Sequence, residues 1–186
     1  MIRIVYIFII AIFGLTACHT NRLPSKTSGE YTDSVKAFLA FIQKEIHQDT
    51  LILSEEPTVG FDNCFANALE DTIFFTETDR KSIAAYLEKP PIQQWSASYF
   101  SQVKLINPDT IDAIFKDRDR SWSYFHQHIG KNFYRFSAPI FLRNYTYCLF
   151  YMGNQCGPLC GQGQLALYKR EQGAWVIVKA FCRWIS

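Results

Sequence analysis

The stretch from Gly153 to Gly163 has the residue types and spacing most distinctive for chemistry in this chain. It places Cys156 and Cys160 four residues apart around a Gly-Pro-Leu segment. In an oxidising compartment two such cysteines can close a small disulfide loop. A structural metal site at the same pair would need two further ligands. A glycine-rich anion cradle would need a helix after it, and the following residues are strand-like. The spacing therefore favours a disulfide bond between Cys156 and Cys160 over a metal site.

The same stretch is also a candidate binding site, because it is too unusual for a simple hairpin. We predict a loop over Gly153 to Gly161, leading into a strand that begins at Gln164. A binding surface would combine this loop with nearby aromatic side chains. Its predicted members are Gly157, Pro158, Leu159 and Gly161, with Tyr151 and Trp175.

Cys64 is the candidate nucleophile of the chain. A cysteine at a helix amino terminus can form a reactive thiolate, and His126 or His128 could serve as its base. This hypothesis describes a thiol hydrolase acting on cell-wall peptides. The sequence around Cys64, Asp-Asn-Cys-Phe, departs from the Asp-Cys-Ser-Gly pattern of envelope cysteine peptidases. The two histidines would point about 200° apart on a helix, so they cannot bind one metal ion there. We predict no metal and no cofactor.

The amino terminus is typical of a secretory signal. Arg3 supplies a positive charge, Ile4 to Phe13 is an unbroken apolar run, and small residues follow. This run is too short to span the roughly 30 Å hydrocarbon core of a membrane comfortably as a helix.

Leu15-Thr16-Ala17-Cys18 resembles the lipobox of bacterial lipoproteins. The resemblance implies cleavage after residue 17 and acylation, including palmitate, at Cys18, which becomes the new first residue. His19 is not the aspartate associated in that family with retention in the inner membrane, so the resemblance implies an outer-membrane location. Residues 18–30 carry Pro24 and Gly29 and are nearly free of apolar side chains, which predicts a flexible tether.

Composition excludes several classes of protein. The chain has 186 residues, 19% of them charged and 16% aromatic, so it is neither disordered nor fibrous. It contains a single long apolar run, which excludes a polytopic membrane protein. A net charge of +2 arises from a balance of acids and bases and does not suggest nucleic acid as a partner.

The hydrophobic periodicity predicts one α+β domain over residues 31–186. Helices precede strands, so we expect amino-terminal helices packed on a carboxy-terminal antiparallel sheet of about four strands. Of the five cysteines after Cys18, Cys148 and Cys182 lie in strand patterns and are expected to be reduced core residues. The predicted helices cover 34–47, 63–69, 78–89, 107–116 and 121–129, and the predicted strands cover 51–53, 73–75, 103–106, 133–142, 145–152, 164–168 and 174–185.

The segment from Phe133 to Ser186 also resembles uncharacterised exported bacterial proteins, a likeness that brings no activity with it. No serine-nucleophile elbow, zinc-protease helix or phosphate loop is present in the sequence. The sequence therefore predicts a lipid-anchored envelope protein with a non-catalytic binding or accessory domain, including an immunity-type role. Its expected partners are the membrane, through acylated Cys18, and an envelope protein. The alternatives are the Cys64 hydrolase and a structural metal site at Cys156 and Cys160.

Overall fold

The computed structural model describes residues 28–59, 64–117 and 121–186, and these form the α+β architecture that the sequence predicts. The predicted signal peptide, Cys18 and residues 18–27 of the predicted tether lie outside the described residues. The helices are α1 (Ser28–Ile46), α2 (Cys64–Glu70), α3 (Glu77–Glu88), α4 (Pro108–Lys116) and α5 (Ser121–His128), with a short 3-10 helix at Ala97–Tyr99. The strands are β1 (Leu51–Ser54), β2 (Val103–Ile106), β3 (Phe133–Phe136), β4 (Ile140–Leu142), β5 (Tyr147–Gly157), β6 (Cys160–Glu171) and β7 (Ala174–Ile185).

The sheet is larger than predicted and is mixed. Its strand order is β2-β1-β3-β5-β6-β7, and β4 pairs with β5 beyond the end of β3. Strand β1 runs parallel to β2 and β3, whereas β3, β5, β6 and β7 are antiparallel. The prediction of about four antiparallel strands was wrong because the short apolar strands β1 and β2, located among the helices in sequence, join the same sheet. The predicted strand over 73–75 is instead a turn, in which the Asp71 carboxylate accepts hydrogen bonds from the backbone of Ile73 and Phe74.

One face of the sheet is covered by α1, and we call it the α1 face. The side chains of Val35, Phe38, Leu39 and Ile42 recur at helical spacing and are buried. Phe38 sits at the centre, with its ring edge-on to Phe150, Tyr168 and Trp175. The helix begins at Ser28 rather than at the predicted residue 34. Its first turns are held by Tyr31, whose hydroxyl donates to the Pro139 carbonyl at 3.1 Å.

The other face, which we call the opposite face, is covered by α2 to α5. Helices α2 and α3 pack on β5 to β7 around Leu149, Tyr151 and Leu165. Helices α4 and α5 pack on β1 and β3 around Phe125 and Phe133. Alternation along each strand sends successive side chains to the two faces. Strand β5 is therefore buried on both sides over residues 148–151, and β6 over residues 165–168.

No helix within residues 28–59, 64–117 and 121–186 is long and apolar enough to cross a membrane.

Candidate functional site

The predicted loop over Gly153 to Gly161 is mostly regular hairpin. Strand β5 continues to Gly157 and β6 starts at Cys160, which leaves Pro158 and Leu159 as the turn. The Cα atoms of Cys156 and Cys160 are 5.0 Å apart and the two sulfurs are bonded, as the spacing predicted. This bond closes the hairpin at its tip and leaves no thiolate there for a metal ion. Leu159 remains 87% exposed at the tip.

Two glycines of this stretch, Gly161 and Gly163, allow a side chain on the opposite face to pack against the backbone of β6. A Cβ atom on Gly163 would lie 2.3 Å from Nε1 of Trp184, and one on Gly161 would lie 2.9 Å from the same indole. Trp184 therefore lies against glycine backbone on β6, and its Nε1 donates a hydrogen bond of 2.8 Å to the Tyr151 hydroxyl. Gly161 and Tyr151, both predicted as binding residues, are buried. They support the hairpin from beneath and do not form its outer surface.

Cys64 is bonded to Cys182, with their Cα atoms 5.5 Å apart. This bond ties the first residue of α2 to β7, so the expectation of a reduced core thiol at Cys182 was wrong. It also removes the free thiol that the hydrolase hypothesis requires, since only a thiolate is nucleophilic. Cys148 is buried and is the free cysteine among the described residues, as predicted.

The two candidate histidines lie on α5, which packs over β1 and β3 rather than near α2. Nε2 of His126 donates to the Cys156 carbonyl at 3.0 Å, which links α5 to the hairpin. The His128 ring lies 4.4 Å from the Tyr124 ring, measured between centroids. Within residues 28–59, 64–117 and 121–186, no three His, Cys, Asp or Glu side chains are grouped to hold a metal ion.

A groove on the α1 face is the best candidate for a functional site. It lies between the last turns of α1 and strands β5 to β7 and encloses about 780 Å³, within the usual range for ligand pockets. It exists because α1 covers only part of the sheet: β5, β6 and β7 run on past the end of the helix. Its apolar lining comes from Ile42, Ile46, Tyr134, Met152, Trp175, Ile177 and Ile185.

The floor of the groove is polar, in contrast to the core beside it. Asn154 on β5 lies directly opposite Gln162 on β6. Gln164, two residues further along β6, lies opposite Arg183 on β7, and Nε of Arg183 donates to its Oε1 at 3.1 Å. Oδ1 of Asn154 is buried and has no hydrogen-bond partner among the described residues.

The charges and titratable groups of the groove leave it nearly neutral. Among its lining residues that the structure describes, Glu45 and Arg183 carry opposite charges. Burial raises the pKa of Tyr134, an effect that a hydrogen bond with Asn132 partly offsets. Burial also raises the pKa of Tyr168. Both phenols therefore stay protonated and uncharged at neutral pH. The groove therefore offers hydrogen-bond donors and acceptors but carries no excess of positive or negative charge.

The structure brings together only some of the predicted binding residues. Gly157, Pro158 and Leu159 form the hairpin tip, while Trp175 pairs with Arg170 at the far end of β6. Ten residues of strand separate Cys160 from Arg170, which is about 33 Å. Trp175 lines the groove near the core.

The amides on the groove floor were missed by sequence reasoning. Gln162 and Gln164 alternate with Gly161 and Gly163, and this alternation places both glutamines on one face of a strand. That signal was obscured because the glycines and Pro158 suggested a loop.

No protein-family model, no curated protein and no solved structure matches this chain.

Proposed function

We propose that this chain is a lipid-anchored protein of the bacterial envelope whose folded domain binds a ligand, without catalysis, in the groove of the α1 face. The single observation that carries the binding function is the groove itself, with its polar floor of Asn154, Gln162 and Gln164. The anchor rests on Cys18 and the sequence that precedes it.

The position of α1 is compatible with a domain that is anchored to a membrane at one end and binds a ligand at the other. The first turn of α1 lies beside Tyr145, Arg170 and Gly173. This is the end of the sheet that holds the turn between β4 and β5 and the turn between β6 and β7. Its last turn lies beside the groove floor, about 28 Å away along a helix of 19 residues. A tether attached at Ser28 therefore leaves the polar floor at the far end of the domain, accessible to a ligand away from the membrane.

The hairpin tip lies at the same far end as the groove floor. Leu159 and Ile185 are 87% and 86% exposed, and the Ser186 backbone N–H donates to the Gly161 carbonyl at 3.0 Å. The Cys156–Cys160 bond holds this tip in one conformation, which lowers the entropy lost when a partner binds. An envelope protein that contacts Leu159 would lie next to a ligand in the groove.

The anchor is tested with Cys18→Ala. We expect the wild-type protein to incorporate labelled palmitate and to sediment with membranes, and the variant to do neither. A variant that still partitions fully with membranes would contradict the anchor.

Binding at the groove is tested in cells with a photo-crosslinking amino acid. We expect ultraviolet-dependent adducts when it replaces Gln162 on the groove floor, and none when it replaces Ala84, an exposed residue of α3 on the opposite face. An absence of adducts at Gln162, or the same adducts at Ala84, would contradict the proposal.

A further inference from the structure

The two disulfide bonds that the structure describes differ in how easily another thiol can reach them. At the hairpin tip, Cys160 is exposed and Cys156 is half-buried. Cys64 is only 1% exposed, and its partner Cys182 is half-buried in the apolar cluster beneath α2 and α3. A thiol that exchanges with a disulfide must reach one of its sulfur atoms directly. The Cys156–Cys160 bond allows this in the folded protein, whereas packing shields the Cys64–Cys182 bond.

The fold holds the two ends of the hairpin together independently of the Cys156–Cys160 bond. On β5, the backbone carbonyl of Cys156 accepts a hydrogen bond of 3.0 Å from Nε2 of His126. Directly beneath the tip, Gln155 on β5 pairs with Gly161 on β6. Because these contacts do not involve the sulfurs, the two cysteines stay close to each other when the bond is broken. The bond can therefore open and close again without a search through unfolded conformations.

The Cys156–Cys160 bond is also one that the fold can lose. Its sequence separation is 4, whereas that of Cys64–Cys182 is 118. A cross-link over a short loop removes less entropy from the unfolded chain, so breaking it destabilises the fold less. Leu159, in the turn that the bond closes, is 87% exposed, so movement of this turn disturbs little packing. Exposed disulfides with these properties are typically the exchangeable ones.

We propose that the Cys156–Cys160 pair is a site of thiol–disulfide exchange for a dithiol substrate. A thiolate of the substrate attacks Sγ of Cys160, the more exposed cysteine, and the S–S bond breaks with its electron pair on Sγ of Cys156. The second thiolate of the substrate attacks the substrate's own sulfur in this mixed disulfide and releases Cys160. Two electrons pass to the hairpin, the substrate becomes a disulfide, and the two protons that it gives up to water are replaced by two that the cysteines take up. This activity goes beyond the proposed function and does not depend on the groove.

The test compares the two bonds within one protein. The full chain, purified from membranes in detergent, is incubated with dithiothreitol at neutral pH and sampled into iodoacetamide, and peptide mass spectrometry gives the alkylated fraction at each cysteine. We expect the Cys156–Cys160 bond to open about a hundredfold faster than the Cys64–Cys182 bond, because the latter requires local unfolding. Cys148 is 0% exposed and should stay unlabelled while the tip opens, which reports that the fold is intact.

Further reactions test reversal and the kind of substrate. Once dithiothreitol is removed, oxidised glutathione should restore the Cys156–Cys160 bond. Reduced thioredoxin replaces dithiothreitol in a parallel reaction. Opening by both reagents indicates that the tip accepts protein dithiols, and opening by dithiothreitol alone indicates a small-molecule dithiol. The double variant Cys156→Ser, Cys160→Ser is the matched control, and it should lose the fast reaction while the slow one at Cys64–Cys182 is unchanged.

Four results would overturn the proposal: no opening of the tip bond by dithiothreitol, equal rates at the two bonds, labelling of Cys148 in step with the tip, or a tip bond that does not re-form. None of these results bears on crosslinking at Gln162 in the groove. Failure of the exchange activity and failure of the proposed function are therefore distinguishable.

Discussion

The two faces of the sheet use the same three long strands for different purposes. On the opposite face, three contacts tie α2, α3 and the sheet together. They are the Cys64–Cys182 disulfide bond, the packing of the Trp184 indole against glycine backbone of β6, and the Arg143–Asp79 ion pair. On the α1 face, α1 and the segment around Trp95 pack on the aromatic core. Where α1 ends, the strands beyond it carry amides and an unpaired acceptor. The difference indicates that the opposite face maintains the fold, while the α1 face can carry polar groups that stability does not require.

The largest expected effect comes from the bond that closes the opposite face. The double variant Cys64→Ala, Cys182→Ala should lose about 4 kcal/mol of unfolding free energy, because the bond joins residues 118 apart in sequence. The matched control is Cys156→Ala, Cys160→Ala, whose bond spans a separation of 4 and should cost about 2 kcal/mol. Denaturant titration measures both. Equal losses in the two variants would show that the Cys64 bond has no special role in closing this face.

The glycines beneath Trp184 give the next largest effect. Gly163→Ala should destabilise the protein by about 1–3 kcal/mol, since its Cβ would overlap the indole and the core cannot expand freely. Gly29→Ala is the control, because a Cβ there has nothing within 4 Å. In the first turns of α1 that change should stabilise the protein by about 0.5–1 kcal/mol. If both substitutions moved the thermal midpoint in the same direction, close packing at Trp184 would not be the reason for the glycine.

The ion pair at the edge of the opposite face predicts a dependence on pH. Asp79 is buried and its Oδ2 accepts from Arg143 Nη2 at 2.8 Å and from the Thr76 backbone N–H at 2.9 Å. Burial alone would raise the pKa of Asp79, but the hydrogen bonds from Arg143 and Thr76 outweigh it and hold this pKa below its usual value. Arg143 in turn fixes a left-handed turn, with φ of 50°, 55° and 62° at residues 143–145.

Asp79→Asn should therefore cost about 2 kcal/mol at pH 7, the value of charged hydrogen bonds and a helix cap. The folded pKa lies below the unfolded value of about 3.9. The contribution is then complete above that value and is lost as the pH falls through the folded pKa. Unfolding titrations from pH 7 to pH 2 should show the wild-type and variant stabilities converging in acid. A gap that stays constant over this range would mean that the ion pair contributes nothing.

The sequence predicts the local elements of this protein better than their assembly. The apolar spacing of Val35, Phe38 and Ile42 predicts α1, and Asn107 followed by Pro108 predicts the start of α4, because caps and periodicity are local properties. The joining of β1 to β3 depends on the pairing of Leu53 with Tyr134, 81 residues later, which no local pattern contains. The Cys156–Cys160 bond is predictable because its partners are neighbours. The Cys64–Cys182 bond is not, because it depends on the finished fold.

The candidate site shows the same limit. Gly161 and Gly163 suggest a flexible loop when they are read alone. They are explained only by Trp184, which lies on another strand and is brought there by the hairpin between β6 and β7. The groove cannot be read from the sequence either, since it depends on where α1 stops relative to strands that come more than 100 residues later.

The unfolding free energy of Asn154→Leu tests the contrast between the two faces most directly. If the α1 face beyond the helix serves binding, removing an unpaired buried acceptor should leave stability unchanged or raise it by about 1 kcal/mol. Gln162→Ala, an exposed neighbour on the same floor, is the control and should change it by less than about 0.5 kcal/mol. A loss of 2 kcal/mol or more in Asn154→Leu would show that Asn154 stabilises the fold, and would contradict the division of the sheet into a structural face and a binding face.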